Sequence, residues 1–305
     1  MKKFNMPDSA TIPAWRKMRH LCCIALMFGV LCMAGCSSIR FTYNHGDTLL
    51  YWWLDAYVGI DSEQKIWLKN DIDNLFLWHR QTQLKEYQQL LVKGQHQLQG
   101  HLGSADLLAD YSSIRNHTEL LLYKAAPGLA DLARSMHAQQ ISQMEKKFAS
   151  SNDDFRKKFL RGDMETRQKN RYKKSMDQFE TWFGNFSSHQ EELIRLASYA
   201  RPLDDEIWLE ERILRQKNIS ALLQKVAREK PGKDATLALL NGLIKSSFER
   251  FDAPERKGFF DNYAESTAQM ALTVIKMTTP AQKIHAQKRM QGWIDDFGAL
   301  EADVN

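Results

Sequence analysis

Trp78, His79 and Arg80 are consecutive and together supply an aromatic face, an imidazole that titrates near neutrality and a permanent cation. That set suits an anionic or sugar-like ligand. Consecutive residues of a helix diverge, however, so the three meet at one ligand only with partners from elsewhere in the fold. The plainer expectation is a packed tryptophan beside a hydrogen-bonded histidine. A second candidate is the basic run Arg156, Lys157, Lys158, Arg161, Arg167, Lys169, Arg171, Lys173 and Lys174. It could hold the phosphates of lipopolysaccharide, another anionic envelope polymer or an acidic envelope protein. Its charges wrap around a helix, with Asp163, Glu165, Asp177 and Glu180 interspersed, and so read first as a solvated surface.

Catalytic arrangements are thin. Ser62-Glu63-Gln64-Lys65 has the Ser-x-x-Lys spacing of penicillin-recognising enzymes, but the accompanying Ser-Asp-Asn and Lys-Thr-Gly segments are absent. There is no His-Glu-x-x-His and no Glu-x-x-His pair, and His96 and His101 fall off a common helical face. Gly232-Lys233 lacks the residues that make a phosphate loop. No metal or cofactor is therefore expected. Carboxylates such as Glu180, or Glu210 with Glu211, keep a cell-wall hydrolase as an alternative, although helices carry such pairs by chance.

The elements that would position these residues are helical. Apolar side chains recur at helical spacing, as in Leu203, Ile207, Leu214, Ile219, Leu222, Leu223 and Val226. Valine is scarce, while strong helix formers dominate. The expected fold is an all-α, irregular multi-helix bundle of roughly eight to ten helices, counted from the breakers. Gly46 opens a short helix ending near Gly59, a long one runs from Ser62 to about Gln99, and Gly100 to Gly103 interrupts it. Pro127, Pro202, Pro231, Pro254 and Pro280 are expected at helix ends or first turns. Residues 230–234 and 150–154 are the expected internal linkers.

Four times a capping-type residue is followed three positions later by glutamine: Asp61 to Gln64, His137 to Gln140, Ser187 to Gln190 and Thr279 to Gln282. In a capping box the first side chain accepts from the third residue's amide, and the glutamine reaches back to the first residue's amide. Irregular gaps between the four argue against a solenoid. The segments also resemble the Leu-Thr-x-x-Gln motif of the Spy and CpxP periplasmic chaperones, with substitutions at the first two positions. That resemblance implies a chaperone role as an alternative.

All four cysteines lie within the first 36 residues. Arg16, Lys17 and Arg19 precede an apolar core of about 12 residues, too short for a span of roughly 20. Small residues then lead to a cysteine in Leu31-Cys32-Met33-Ala34-Gly35-Cys36. This resembles a bacterial lipoprotein signal, which implies removal of residues 1–35 and a lipidated, palmitate-bearing Cys36. Ser37 in place of aspartate implies sorting to the outer membrane, facing the periplasm. Residues 36–305 are then an all-helical periplasmic domain attached to the membrane through its lipid.

The whole chain carries 42 Lys and Arg against 37 Asp and Glu. The signal holds Lys2, Lys3, Arg16, Lys17, Arg19 and Asp8, so the mature chain has 37 against 36. Near-neutrality excludes the strongly basic footprint of a nucleic-acid binder. Without cysteine after Cys36, disulfides, thiolate metal sites and redox pairs are excluded. A chain of this length buries about three quarters of its unfolded surface and needs no such staples.

A broader pattern runs through Tyr51-Trp52-Trp53-Leu54-Asp55-Ala56-Tyr57, Asp61-x-x-Gln64, Trp78-His79-Arg80 and Leu84-x-x-Tyr87. It continues with Phe179-Glu180-Thr181-Trp182-Phe183-Gly184, Phe186-Ser187-Ser188-His189-Gln190 and Trp208-Leu209-x-x-Arg212. In this order the motifs resemble the bacterial lipoproteins grouped as domain of unknown function 6279. Gln83 and Lys85 depart from that pattern. The resemblance implies lipidation and helicity and assigns no activity. The expected role is a non-catalytic binding or interaction protein.

Overall fold

A computed structural model describes residues 38–303. The signal segment 1–35 and Cys36 lie outside the described residues. Within them there are twelve α-helices and no strand. They are α1 (Ser38–Asn44), α2 (Gly46–Val58), α3 (Ser62–Thr82), α4 (Leu84–Gln97), α5 (Ser104–Ser135) and α6 (Ala138–Phe155), followed by α7 (Met164–Phe183), α8 (Ser188–Tyr199), α9 (Asp205–Glu229), α10 (Lys233–Glu249), α11 (Pro254–Met277) and α12 (Pro280–Ala302). A π-helical turn, Arg156–Leu160, follows α6, and a 3-10 turn, Arg250–Asp252, links α10 to α11.

The all-α class is as expected, and the helix count is higher. One reason is Gln83, which divides the long helix expected from Ser62 to about Gln99. Its side chain is buried and lies 3.0 Å from Nδ1 of His117 on α5. Pro127 is not at a helix end. It sits inside α5, between Ala126 and Gly128, and gives up one backbone bond. The helix continues because Ala126 and Ala130 are fully buried there, and packing overrides a single lost bond. Residues 150–154 are likewise not a linker but the last turns of α6. Asn152 is buried, donating to Gln216 at 2.7 Å and accepting from Arg212 at 3.0 Å, and these bonds tie the segment to α9. Residues 230–232 do connect α9 to α10, with Lys230 in the left-handed region at φ 48°.

Two apolar cores are the larger clusters of buried side chains, beside a smaller one of Tyr51, Leu68 and Ile72. One gathers Val58, Leu132, Met136, Ile141, Met144 and Leu223 from α2, α5, α6 and α9. The other gathers Met176, Phe183, Phe186, Ile194, Val274 and Ala286 from α7, α8, α11 and α12. Beside each core two helix starts meet through their glutamines. Gln64 of α3 and Gln140 of α6 exchange side-chain amide bonds of 3.2 and 2.7 Å. Gln190 of α8 and Gln282 of α12 do the same at 2.9 and 3.3 Å.

The two pairs follow one plan. In each, the glutamine Nε2 also donates to the carbonyl five residues before its partner. Gln64 reaches Ser135 and Gln140 reaches Gly59, while Gln190 reaches Met277 and Gln282 reaches Asn185. Meanwhile Oε1 accepts from the N–H of the residue that starts its own helix: Asp61, His137, Ser187 or Thr279. Asp61, Ser187 and Thr279 complete the box by accepting from the glutamine's own N–H. All four glutamines are buried, and each has both ends of its amide satisfied, as burial of a polar group requires.

Candidate functional site

The basic run reaches its site through α7. Arg167, Arg171 and Lys174 are spaced i, i+4 and i+7, so these three share one face. Lys169 and Lys173 between them are exposed. That face lines a cavity of about 340 Å³, closed by Lys158 of the π-helical turn, by Arg201 and Asp205 around the start of α9, and by Tyr263 and Met270 of α11. Phe159 and Phe179 supply apolar wall.

Five cations therefore converge on one space whose lining holds a single carboxylate, Asp205. The exposed Glu206 grips Arg167 with bonds of 3.0 and 3.1 Å. Arg171 is spent on the backbone: it donates to the carbonyls of Pro202, Ser198 and Arg201 at 2.6, 3.0 and 2.9 Å. Those carbonyls end α8, where a cation is favoured by the helix dipole. Arg171 thus holds in place the turn that carries Arg201.

Arg201 is 8% exposed. Its guanidinium donates to Ser175 Oγ at 3.2 Å and lies 5.8 Å from the centre of the Tyr263 ring. No carboxylate bonds to it, and its Nε has no hydrogen-bond partner; the Nε atoms of Arg167 and Arg171 are also without one. Lys174 Nζ stands 3.9 Å from the centre of the Phe159 ring, with Lys158 at 5.6 Å from the same ring. Burial, and then the neighbouring Lys158, hold the Lys174 amine below its ordinary value. Burial also pushes the Asp205 carboxyl up, against the pull of Arg167 and Arg171. An anion entering this space would meet the buried Arg201 and the half-buried Arg167 and Arg171, only partly compensated, with the exposed Lys158 and Lys174 beside them, and charge-assisted bonds are strongest where a cation is already desolvated.

Trp78, His79 and Arg80 are engaged one by one. Tyr43 of α1 approaches His79 Nδ1 at 2.7 Å, Arg80 donates to Asn44 at 2.8 Å and lies 5.2 Å from the Tyr43 ring, and Lys124 sits 5.5 Å from the Trp78 ring. His79 and Arg80 thus clasp α1, and Trp78 faces α5. Burial, then nearby His117, hold the His79 imidazole below 6.5, while burial pushes the Tyr43 phenol up to about 12. The folded state therefore prefers neutral His79. The stability it lends is complete above the unfolded value of 6.5 and is lost as pH falls through the lowered folded value. The protection factors of the amides in residues 38–44, which divide out the intrinsic fall of exchange rate with pH, should drop between pH 7 and pH 5 and do so less in His79→Gln. An equal drop in both proteins would refute the clasp.

Two of the three acidic candidates are paired with arginines. Glu210 pairs with Arg256, and Glu211, 3% exposed, lies within 3.0 Å of both Arg250 and Arg256. Glu180 is exposed near the end of α7. Among the described residues no group of three or more His, Cys, Asp or Glu converges in a way that could hold a metal ion. Nor is any described helix long and apolar enough to cross a membrane.

The sequence signal for the pocket was the i, i+4, i+7 spacing within a run that otherwise wraps its helix. Arg201 and Asp205 carried no signal, because they arrive from a turn whose position is set by α8 and α9.

Fold and pocket define an all-helical protein with a cationic cavity built around one buried arginine. The chain belongs to a family of unknown function, DUF6279, whose model matches residues 56–245. No curated protein and no solved structure matches it. The resemblance to Spy and CpxP finds no support in these comparisons. The glutamines that suggested it are consumed in joining helix starts.

Proposed function

We propose that this is a lipid-anchored, non-catalytic binding protein of the bacterial envelope, attached through Cys36 at the periplasmic face of the outer membrane. Its pocket binds the phosphate or other anionic group of an envelope polymer. The observation that carries this reading is buried Arg201, bonded to no carboxylate, as one of five converging cations. Two further features support it. The aromatic and apolar wall leaves room for a sugar or acyl portion beside the anion. Of the carboxylates considered for hydrolysis, Glu210 and Glu211 are held by arginines instead.

Calorimetric titration of the mature protein with lipopolysaccharide, against the same material dephosphorylated, tests the binding. Removing the phosphates, or changing Arg201→Gln, should weaken affinity about ten- to hundredfold, the worth of one charge-assisted bond or two. Lys174→Gln, at an exposed position, should weaken it less and leave the melting temperature unchanged. Equal affinity for both materials would sink the phosphate reading. The anchor is tested separately by labelled palmitate: incorporation should be lost in Cys36→Ala, and equal labelling of both proteins would remove it.

A further inference from the structure

Helix α2 carries apolar residues on both of its sides. Tyr51 and Val58 face the protein and are buried. Leu49, Trp52, Trp53 and Ala56, spaced i, i+3, i+4 and i+7, form a stripe on the opposite side and are exposed. Trp52 is 61% exposed and Trp53 56%, and Phe41 on α1 is 66% exposed. None of the stripe positions is charged, and nearby Asp55 is turned back to accept from the N–H of Ile60 at 2.8 Å. Two adjacent tryptophans left in water forgo much of the burial that normally retains such side chains.

The position of the stripe in the chain says what covers it. Helix α1 begins at Ser38, two residues after Cys36, and two residues span at most about 7 Å. If Cys36 carries the lipid, α1 starts at the membrane surface, and α2 follows it after His45 alone. Tryptophans on one side of such a helix suit the headgroup layer, where an amphipathic ring keeps its polar edge wet. We propose that the outward stripe of α2 lies in the headgroup layer of the membrane that holds Cys36. This rests on lipid attachment at Cys36. It adds an orientation, in which the lipid and the stripe together fix how the helical domain stands on the membrane.

The test uses the lipidated mature protein in vesicles of phosphatidylethanolamine and phosphatidylglycerol, some of the lipid brominated high on its acyl chains. Tryptophan fluorescence should be quenched, and the double variant Trp52→Phe/Trp53→Phe should lose about half or more of that quenching, as expected if these rings are the interfacial ones. Unchanged melting of the variant would show that its fold is intact. Equal quenching in both proteins, while both float with vesicles, would overturn the inference and leave the anchor standing. So would protection of the two tryptophans that requires a second copy of the chain rather than lipid. Failure to float or to take up palmitate would instead be failure of the anchor itself.

Discussion

Glu211→Ala should cost about 3–5 kcal/mol of folding stability, the usual penalty for removing one partner of a buried ion pair. The carboxylate is 3% exposed and accepts from Arg250 at 3.0 and 3.2 Å. Arg256 Nε lies at 3.0 Å on its other side. The two arginine side chains are themselves only 26% and 21% exposed. Taking the carboxylate away leaves two partly buried cations facing each other, with only Glu255 and Glu210 on their outer sides. The three residues come from α9, the 3-10 turn and the first turn of α11, so the loss should loosen the junction of all three. Denaturant unfolding would read the change, and in a chain of this size it should lower the melting temperature by about 10 °C. Glu211→Gln, which still accepts hydrogen bonds, should cost less. A loss below about 1 kcal/mol for the alanine variant would show that the cluster is solvated and not a clamp.

Gln282→Leu should cost about 2–4 kcal/mol, because it orphans two groups and takes a partner from a third. The Asn185 carbonyl loses its donor at 2.7 Å, the Thr279 N–H loses its acceptor, and Gln190 loses one of its partners. The informative measurement is a double-mutant cycle with Gln190→Leu. If the two amides act as a unit, the double variant should be less damaged than the sum of the singles, with a coupling of about 1–3 kcal/mol. Gln64→Leu and Gln140→Leu should behave in the same way beside the other core. Additivity within about 0.5 kcal/mol would mean that the glutamines act only as separate helix caps.

Those cycles also separate what was legible in the sequence from what was not. Each of the four helix starts was visible, because a capping box is closed within four residues by bonds the local sequence specifies. The partnership between the boxes was not. Gln64 meets Gln140 and Gln190 meets Gln282, and nothing in either partner's neighbourhood names the other. The same holds at Pro127, where a local rule for ending helices gave way to the burial of Ala126 and Ala130.

The candidate site divides along the same line. Arg167, Arg171 and Lys174 were in view as part of a basic run, yet a run that wraps its helix reads as solvated surface. The face becomes a pocket only when Arg171 bonds the end of α8 and so brings Arg201 and Asp205 across from α7. Trp78, His79 and Arg80 went the other way, from a possible constellation to separate local contacts, with Tyr43 and Asn44 of α1 supplying two of them.

By itself, then, the sequence determined the helical class, most helix starts, and the absence of cysteine after Cys36. These follow from propensities and bonds that reach no further than one helical turn. Only the tertiary structure decided which helix starts join, which cations are buried, and which apolar stripe faces outward. Each of these depends on surfaces brought together from distant parts of the chain, where burial and not local preference sets the energy.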